Sequence, residues 1–161
     1  MPLILNIDTA LESASICLAK DGVAINNSSN PEQKDHAAWL QPAISKMLKA
    51  SNVDVKDLDA IAVSIGPGSY TGLRVGLSSA KGLCYALHIP LVTLRTLEIM
   101  AYAAKNQDVD LLCPMIDARR MEVFTAVYTH SLQEIMPAQA LILEHNSFSN
   151  LLTSNKILFF W

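Results

Sequence analysis

Three glycines fall within seven residues in the stretch SIGPGSYTGLRVGLSSAKGLCYAL, residues 64–87, and the run then turns helical. A glycine loop that opens a helix offers anion chemistry, because the first N–H groups of the helix lack internal partners and the helix dipole is positive there. Spelled out, however, the loop matches none of the standard phosphate or nucleophile signatures. A Walker A loop needs Lys and then Ser or Thr after its last glycine, and here Leu73 and Arg74 follow Gly72. The dinucleotide spacing needs a glycine at Thr71, and a nucleophile elbow around Ser69 needs glycines at Pro67 and Thr71. Two readings stay open: an anion or nucleotide site built from Asp8, Thr9, Gly66, Gly68, Ser69, Tyr70, Thr71 and Arg74, or a purely structural turn. Asp8, at the end of an apolar run, could hold a metal or phosphate or simply cap a hairpin, and Asp117 beside Arg119 and Arg120 poses the same choice.

Other reactive side chains are scattered. His36, His88, His130 and His145 are too far apart for an HxxxH or HExxH pair, and none has a cysteine or acid at ligand spacing, so no metal is expected. No acid/base pair and no nucleophile with a matched base emerges, so no catalytic residue is assigned. Cys17, Cys84 and Cys113 stand apart in apolar surroundings, which reads as reduced, buried thiols of a cytoplasmic protein. Twelve Lys and Arg against fifteen Asp and Glu give a net charge of −3 without a basic run, which argues against unaided nucleic-acid binding. The start, MPLILNIDTALES, has no basic leader and meets Asp8 early, so neither export nor a membrane is expected.

The elements that must position these residues are legible as periodicity. LILNID, SASICLAK and VAINNSS read as strands, with a hairpin at Asp21-Gly22. A polar loop, NPEQKD, leads to a helix over about 36–50, with Asp35 as its N-cap and Pro42 inside it. DAIAVSI reads as a strand covered on both faces, followed by the glycine loop, a helix over about 72–87, a strand in IPLVTL and a helix in TLEIMAYAAK. LLCPMIDA then restarts the pattern, with a turn through Arg119 and Arg120, strands in MEVFTAVYT and QALILE, a short helix in NSFSNLLTS and a strand in KILFFW. The alternation argues α/β, and the matching places of Ile7-Asp8 and Ile116-Asp117 suggest a duplicated β-β-β-α unit, with a first lobe over 1–106 and a second over 107–161 that looks unfinished.

Two helices carry more apolar and small residues than a single core stripe requires. Gly72, Gly76 and Ala80 recur at four-residue spacing, with Leu73 and Ser79 beside them, where a neighbouring helix could approach closely. In the first helix Leu40, Ile44, Met47 and Leu48 make a core stripe, and Trp39, Ala43 and Ala50 extend the apolar surface toward a second face. The alternatives are close packing inside the domain and the docking of a partner helix. On the docking alternative, Gly76→Leu is expected to weaken pairing and leave the fold intact.

IDTALESASICL, GPGSYTGLRVGLSSAKGL, IPLVTLRTLE and IDARRMEVF, in this order, resemble the bacterial TsaB family, also called YeaZ, across essentially the whole chain. The resemblance implies an actin-like, Hsp70-like ATPase (ASKHA) fold of duplicated βββαβα-type lobes and a non-catalytic subunit of the tRNA threonylcarbamoyladenosine synthase complex. It implies a heterodimer with the related catalytic subunit TsaD, joined by TsaE. ATP with magnesium would be used by the complex, fed by TsaC, with no tightly bound cofactor in this subunit, and tRNA would be met only through the complex. A homodimer of the isolated chain is the further possibility. The docking set so implied is His36, Trp39, Leu40, Ala43, Ile44 and Met47 with Gly72, Leu73, Gly76, Ser79 and Ala80. TsaD-like proteins carry a metal-binding histidine pair where Thr96 and Met100 stand here, so the resemblance implies that transferase or peptidase chemistry is absent. TsaB-like chains also continue beyond the ILFF-type strand. The rival expectation is a nucleotide- or metal-dependent transferase or peptidase acting through Asp8, Thr9 and the glycine loop.

Overall fold

A computed structural model of the chain describes residues 1–31 and 35–161, so part of the NPEQKD loop lies outside the described residues. The chain divides into two compact units, Met1–Leu94 and Arg95–Trp161. The first contains β1 (Leu3–Asp8), β2 (Ala14–Lys20), β3 (Val23–Asn30), α1 (His36–Ala50), β4 (Ala60–Ser64), α2 (Tyr70–Leu87) and β5 (Leu91–Leu94). The second contains α3 (Thr96–Ala104), β6 (Leu111–Arg119), β7 (Glu122–Thr129), β8 (Glu134–Ile142), α4 (Ser149–Leu152) and β9 (Ile157–Phe160).

In the first unit the strands lie in the order β3-β2-β1-β4-β5. β1 and β2 pair antiparallel through a register that sets Leu5 opposite Leu18 and Ile7 opposite Ile16. β4 lies parallel on the other side of β1, with Ile7 beside Val63, and β5 runs parallel to β4. The period-two alternation of LILNID places Leu3, Leu5 and Ile7 on one buried face, where α1 and α2 cover them. Leu40, Ile44, Met47 and Leu48 of α1 complete this core, together with Ile61 and Val63 of β4. Each fully buried Leu or Ile contributes about 2 kcal/mol of apolar transfer free energy, so this face dominates the stability of the unit.

The second unit repeats the plan. Its strands lie β8-β7-β6-β9, with β6 antiparallel to β7 and parallel to β9, so β6, β7, β8 and β9 correspond to β1, β2, β3 and β4. The expected division at 106 moves to Leu94/Arg95, because Leu97 and Ala101 of α3 bury themselves with Leu112, Ala126 and Tyr128 of the second sheet. α2 starts at Tyr70, earlier than expected, since Ser69 caps it by accepting from the Gly72 N–H. Asp35 stands at the N-cap of α1 but makes no side-chain capping bond. β8 begins at Glu134, ahead of QALILE. The β2–β3 hairpin turns at Asp21 and Gly22, both with positive φ (51° and 79°), as its sequence requires. The β6–β7 hairpin turns at Arg120 and Met121 instead of Arg119 and Arg120, with Arg119 paired to Glu122.

Candidate functional site

The end of β1 and the glycine loop are sewn together. Thr9, fully buried, donates its hydroxyl to the Gly72 carbonyl at 2.7 Å. The Ser69 N–H donates to the Ala10 carbonyl at 2.7 Å. Asp8 Oδ1 accepts from the Ala10 N–H at 3.0 Å and from the Ser64 hydroxyl at 2.7 Å. These bonds exist because β1 and β4 are parallel neighbours, so Asp8 and Ser64 leave the sheet side by side and each chain meets the other's loop.

The glycines are dictated by this clasp. A Cβ at Gly72 would overlap the Thr9 carbonyl oxygen, and one at Gly76 would overlap Thr9 Oγ1. At Gly68 a Cβ would come within 3.0 Å of the Ala10 carbonyl carbon. α2 therefore lies against β1 more closely than any residue with a side chain permits.

The residues of the expected docking set divide between buried and half-buried positions. Gly72, Gly76 and Ala80 face their own unit, and Leu40, Ala43, Ile44 and Met47 are core. His36 is also buried, its Nε2 lying 3.3 Å from the Leu11 carbonyl, and its Nδ1 has no partner among the described residues. Trp39, Leu73 and Ser79 are half-buried. What α2 presents outward is a different face: Tyr70, Arg74, Ser78, Gly82 and Tyr85, the last 84% exposed. Gly82 is flanked by open space, where a Cβ would meet nothing. Beside α1, a groove of about 460 Å³ opens between the helix and β3, lined by Asn27, Ser28, Trp39, Pro42, Lys46 and Ala50 among others.

Of the expected anion set, Asp8, Thr9, Gly68 and Ser69 come together, and Ser64 joins them unforeseen. Arg74 does not, because its guanidinium lies over the exposed Tyr70 ring at 4.1 Å on the outer face of α2. Thr71 is exposed on the same helix, and Gly66 has a φ of 106° ahead of a cis Gly66–Pro67 bond. Chemically, the hydroxyls of Thr9 and Ser64 and one oxygen of Asp8 are already committed to intramolecular bonds. The arrangement serves as a fastener between strand and helix. Among the described residues no three His, Cys, Asp or Glu side chains gather as a metal site. Thr96 is buried at the start of α3, and Met100 packs into the second core.

The second unit repeats one detail of the clasp: Asp117 Oδ1 accepts from the Arg119 N–H at 2.7 Å, the same two-residue reach as Asp8 to Ala10. Cys113 is buried between the strands, and burial pushes its thiol up to about 11.

Comparison with known proteins bears on both units. The profile of the family described as "TsaD: tRNA N6-adenosine threonylcarbamoyltransferase" matches residues 25–147. YeaZ from Pseudomonas aeruginosa superposes with a TM-score of 0.82 at 30% identity, over 90% of this chain and 70% of that one. The chain belongs to the TsaB (YeaZ) family. The Bacillus subtilis protein named tRNA threonylcarbamoyladenosine biosynthesis protein TsaB is 34% identical over 143 residues, 87% of this chain and 62% of its own length. The Escherichia coli TsaB is 37% identical over 127 residues, 78% of this chain and 54% of its own. The chain thus spans between 54 and 62% of the length of these two TsaB relatives. The fold is actin-like, and a distant likeness to the ethanolamine utilization protein EutJ of Carboxydothermus hydrogenoformans (TM-score 0.52, 13% identity, 95% of this chain and 56% of that one) reflects that fold alone. Among the described residues no helix is long and apolar enough to cross a membrane.

Proposed function

We propose that this TsaB-family chain is a non-catalytic subunit that binds TsaD and supports threonylcarbamoyl transfer to the adenosine beside the anticodon of tRNA. The observation that carries this reading is the self-satisfied clasp in a chain whose relatives are named for threonylcarbamoyladenosine biosynthesis. The loop that would have to hold a substrate is occupied by bonds that fix α2. ATP, magnesium and tRNA are handled by the assembled complex, which TsaE joins, in the cytoplasm. Docking uses the outward face of α2, where Gly82 leaves room for a partner helix and Tyr70 and Tyr85 supply apolar area with a polar tip. Trp39 and Lys46, bordering the groove beside α1, extend that surface.

Light scattering of the purified chain with its TsaD tests this: a particle of summed mass at micromolar concentration is expected, and separate species would overturn it. Calorimetry with ATP and magnesium on the isolated chain is expected to give no tight binding; saturable micromolar binding would favour a nucleotide-dependent enzyme instead.

A further inference from the structure

The β6–β7 hairpin is closed by residues that fit its backbone poorly. Arg119, Arg120 and Met121 all have positive φ, at 70°, 56° and 64°, a conformation that side chains with a Cβ resist. The β2–β3 hairpin of the same chain solves the same geometric problem with Asp21-Gly22. The strained tip is nevertheless firmly held: Asp117 Oδ1 accepts from the Arg119 N–H, and the Leu143 N–H donates to the Met121 carbonyl at 2.8 Å. Strained residues held in place by surrounding bonds cluster at functional sites.

Those side chains are the only two adjacent basic residues in the sequence. Both arginines are exposed, and among the described residues neither guanidinium is ion-paired; the ion pairs found are Arg95–Glu134 and Lys156–Asp108. Asp117 and Glu122 flank the tip in sequence, but the shorter Asp117 side chain is turned to the backbone of Arg119, whereas each arginine carries its planar donor fork on a long arm. Each guanidinium fork suits a phosphate oxyanion, which it can grip through two parallel N–H donors.

We propose that Arg119 and Arg120 contact the sugar–phosphate backbone of tRNA, so that this subunit grips the substrate of the complex directly. The inference rests on the reading that the chain works with TsaD on tRNA. In a protein of net charge −3 such a contact is local: it positions the RNA without conferring general affinity.

The test uses the assembled complex with TsaD and unmodified tRNA, with binding measured at several salt concentrations. Arg119→Gln with Arg120→Gln is expected to weaken tRNA binding roughly tenfold at low salt and to flatten the salt dependence by about one to two in log–log slope, with TsaD association unchanged. A second variant, Arg120→Asn with Met121→Gly, supplies residues suited to the turn. It is expected to melt at the same or a higher temperature than the parent while binding tRNA more weakly, a combination that a merely structural role for the tip would not produce. Parental tRNA affinity and salt slope in both variants would overturn the inference. So would loss of TsaD association in the glutamine variant, which would make the tip a protein contact. Failure of the parent chain to join TsaD would instead remove the reading beneath it, and is distinguished by appearing before any substitution is made.

Discussion

Gly76 and Gly82 occupy the same helix and have opposite meanings. At Gly76 any side chain collides with Thr9 Oγ1, so Gly76→Leu overpacks the contact of α2 with the end of β1 and is expected to lose about 1–3 kcal/mol of stability, seen as a lower denaturation midpoint. At Gly82 the added side chain enters open space and improves helix propensity, so Gly82→Leu is expected to raise stability by up to about 1 kcal/mol while weakening TsaD association in light scattering. Cys113 gives a titration test. Its folded value lies near 11 against an ordinary 9.0, because burial disfavours the thiolate. The protonated form is therefore favoured by the fold, the stabilisation is complete below about pH 9, and it is lost as pH climbs toward 11. Denaturation midpoints measured across that window are expected to fall, and alkylation of Cys113 at pH 8 to be much slower than that of the half-buried Cys17.

At the scale of elements, the strand–loop–helix clasp decides where α2 lies and hence which of its faces remains outside. Thr9→Val keeps the shape and removes the hydroxyl that bonds the Gly72 carbonyl, at an expected cost of about 1 kcal/mol in chemical denaturation. The element pattern itself was readable beforehand. The 36–50 helix, the Asp21-Gly22 hairpin and the apolar β4 run follow from period and turn chemistry, which act over a few residues. The packing sense of α2 was not readable, because Gly-x-x-x-Gly-x-x-x-Ala specifies close approach without saying to what. Its neighbour, Thr9, follows the end of β1, more than sixty residues from Gly72 in sequence. The pairing of Asp8 with Ser64 escaped for the same reason: only the parallel register of β1 and β4 brings them together.

At the scale of the whole chain, the two units repeat one strand order, and the Asp8 and Asp117 turns repeat one hydrogen bond. The apolar residues, 51% of the chain with a mean hydropathy of +0.27, divide among one core in the first unit, two in the second and an exposed set that includes Tyr70 and Tyr85. Sedimentation of the chain alone is expected to show association that strengthens with concentration, and Tyr85→Ala to reduce it, since a surface shaped for a related subunit can pair with itself across a two-fold axis. Sedimentation independent of concentration would limit that face to the hetero-assembly.

By itself the sequence determined the order and kind of the elements, the α/β class, the duplicated plan and the absence of a standard phosphate signature, with the actin-like fold implied by its resemblance to the TsaB family. Each of these is written in local spacing or in residue types. The core stripe of α1 was legible in its spacing, but only the tertiary structure decided which face of α2 is core and which is surface, because burial is a property of what lies opposite. It also decided that the glycine loop fastens a helix, since that depends on strand register bringing Thr9, Ala10 and Ser64 to the loop from distant parts of the chain.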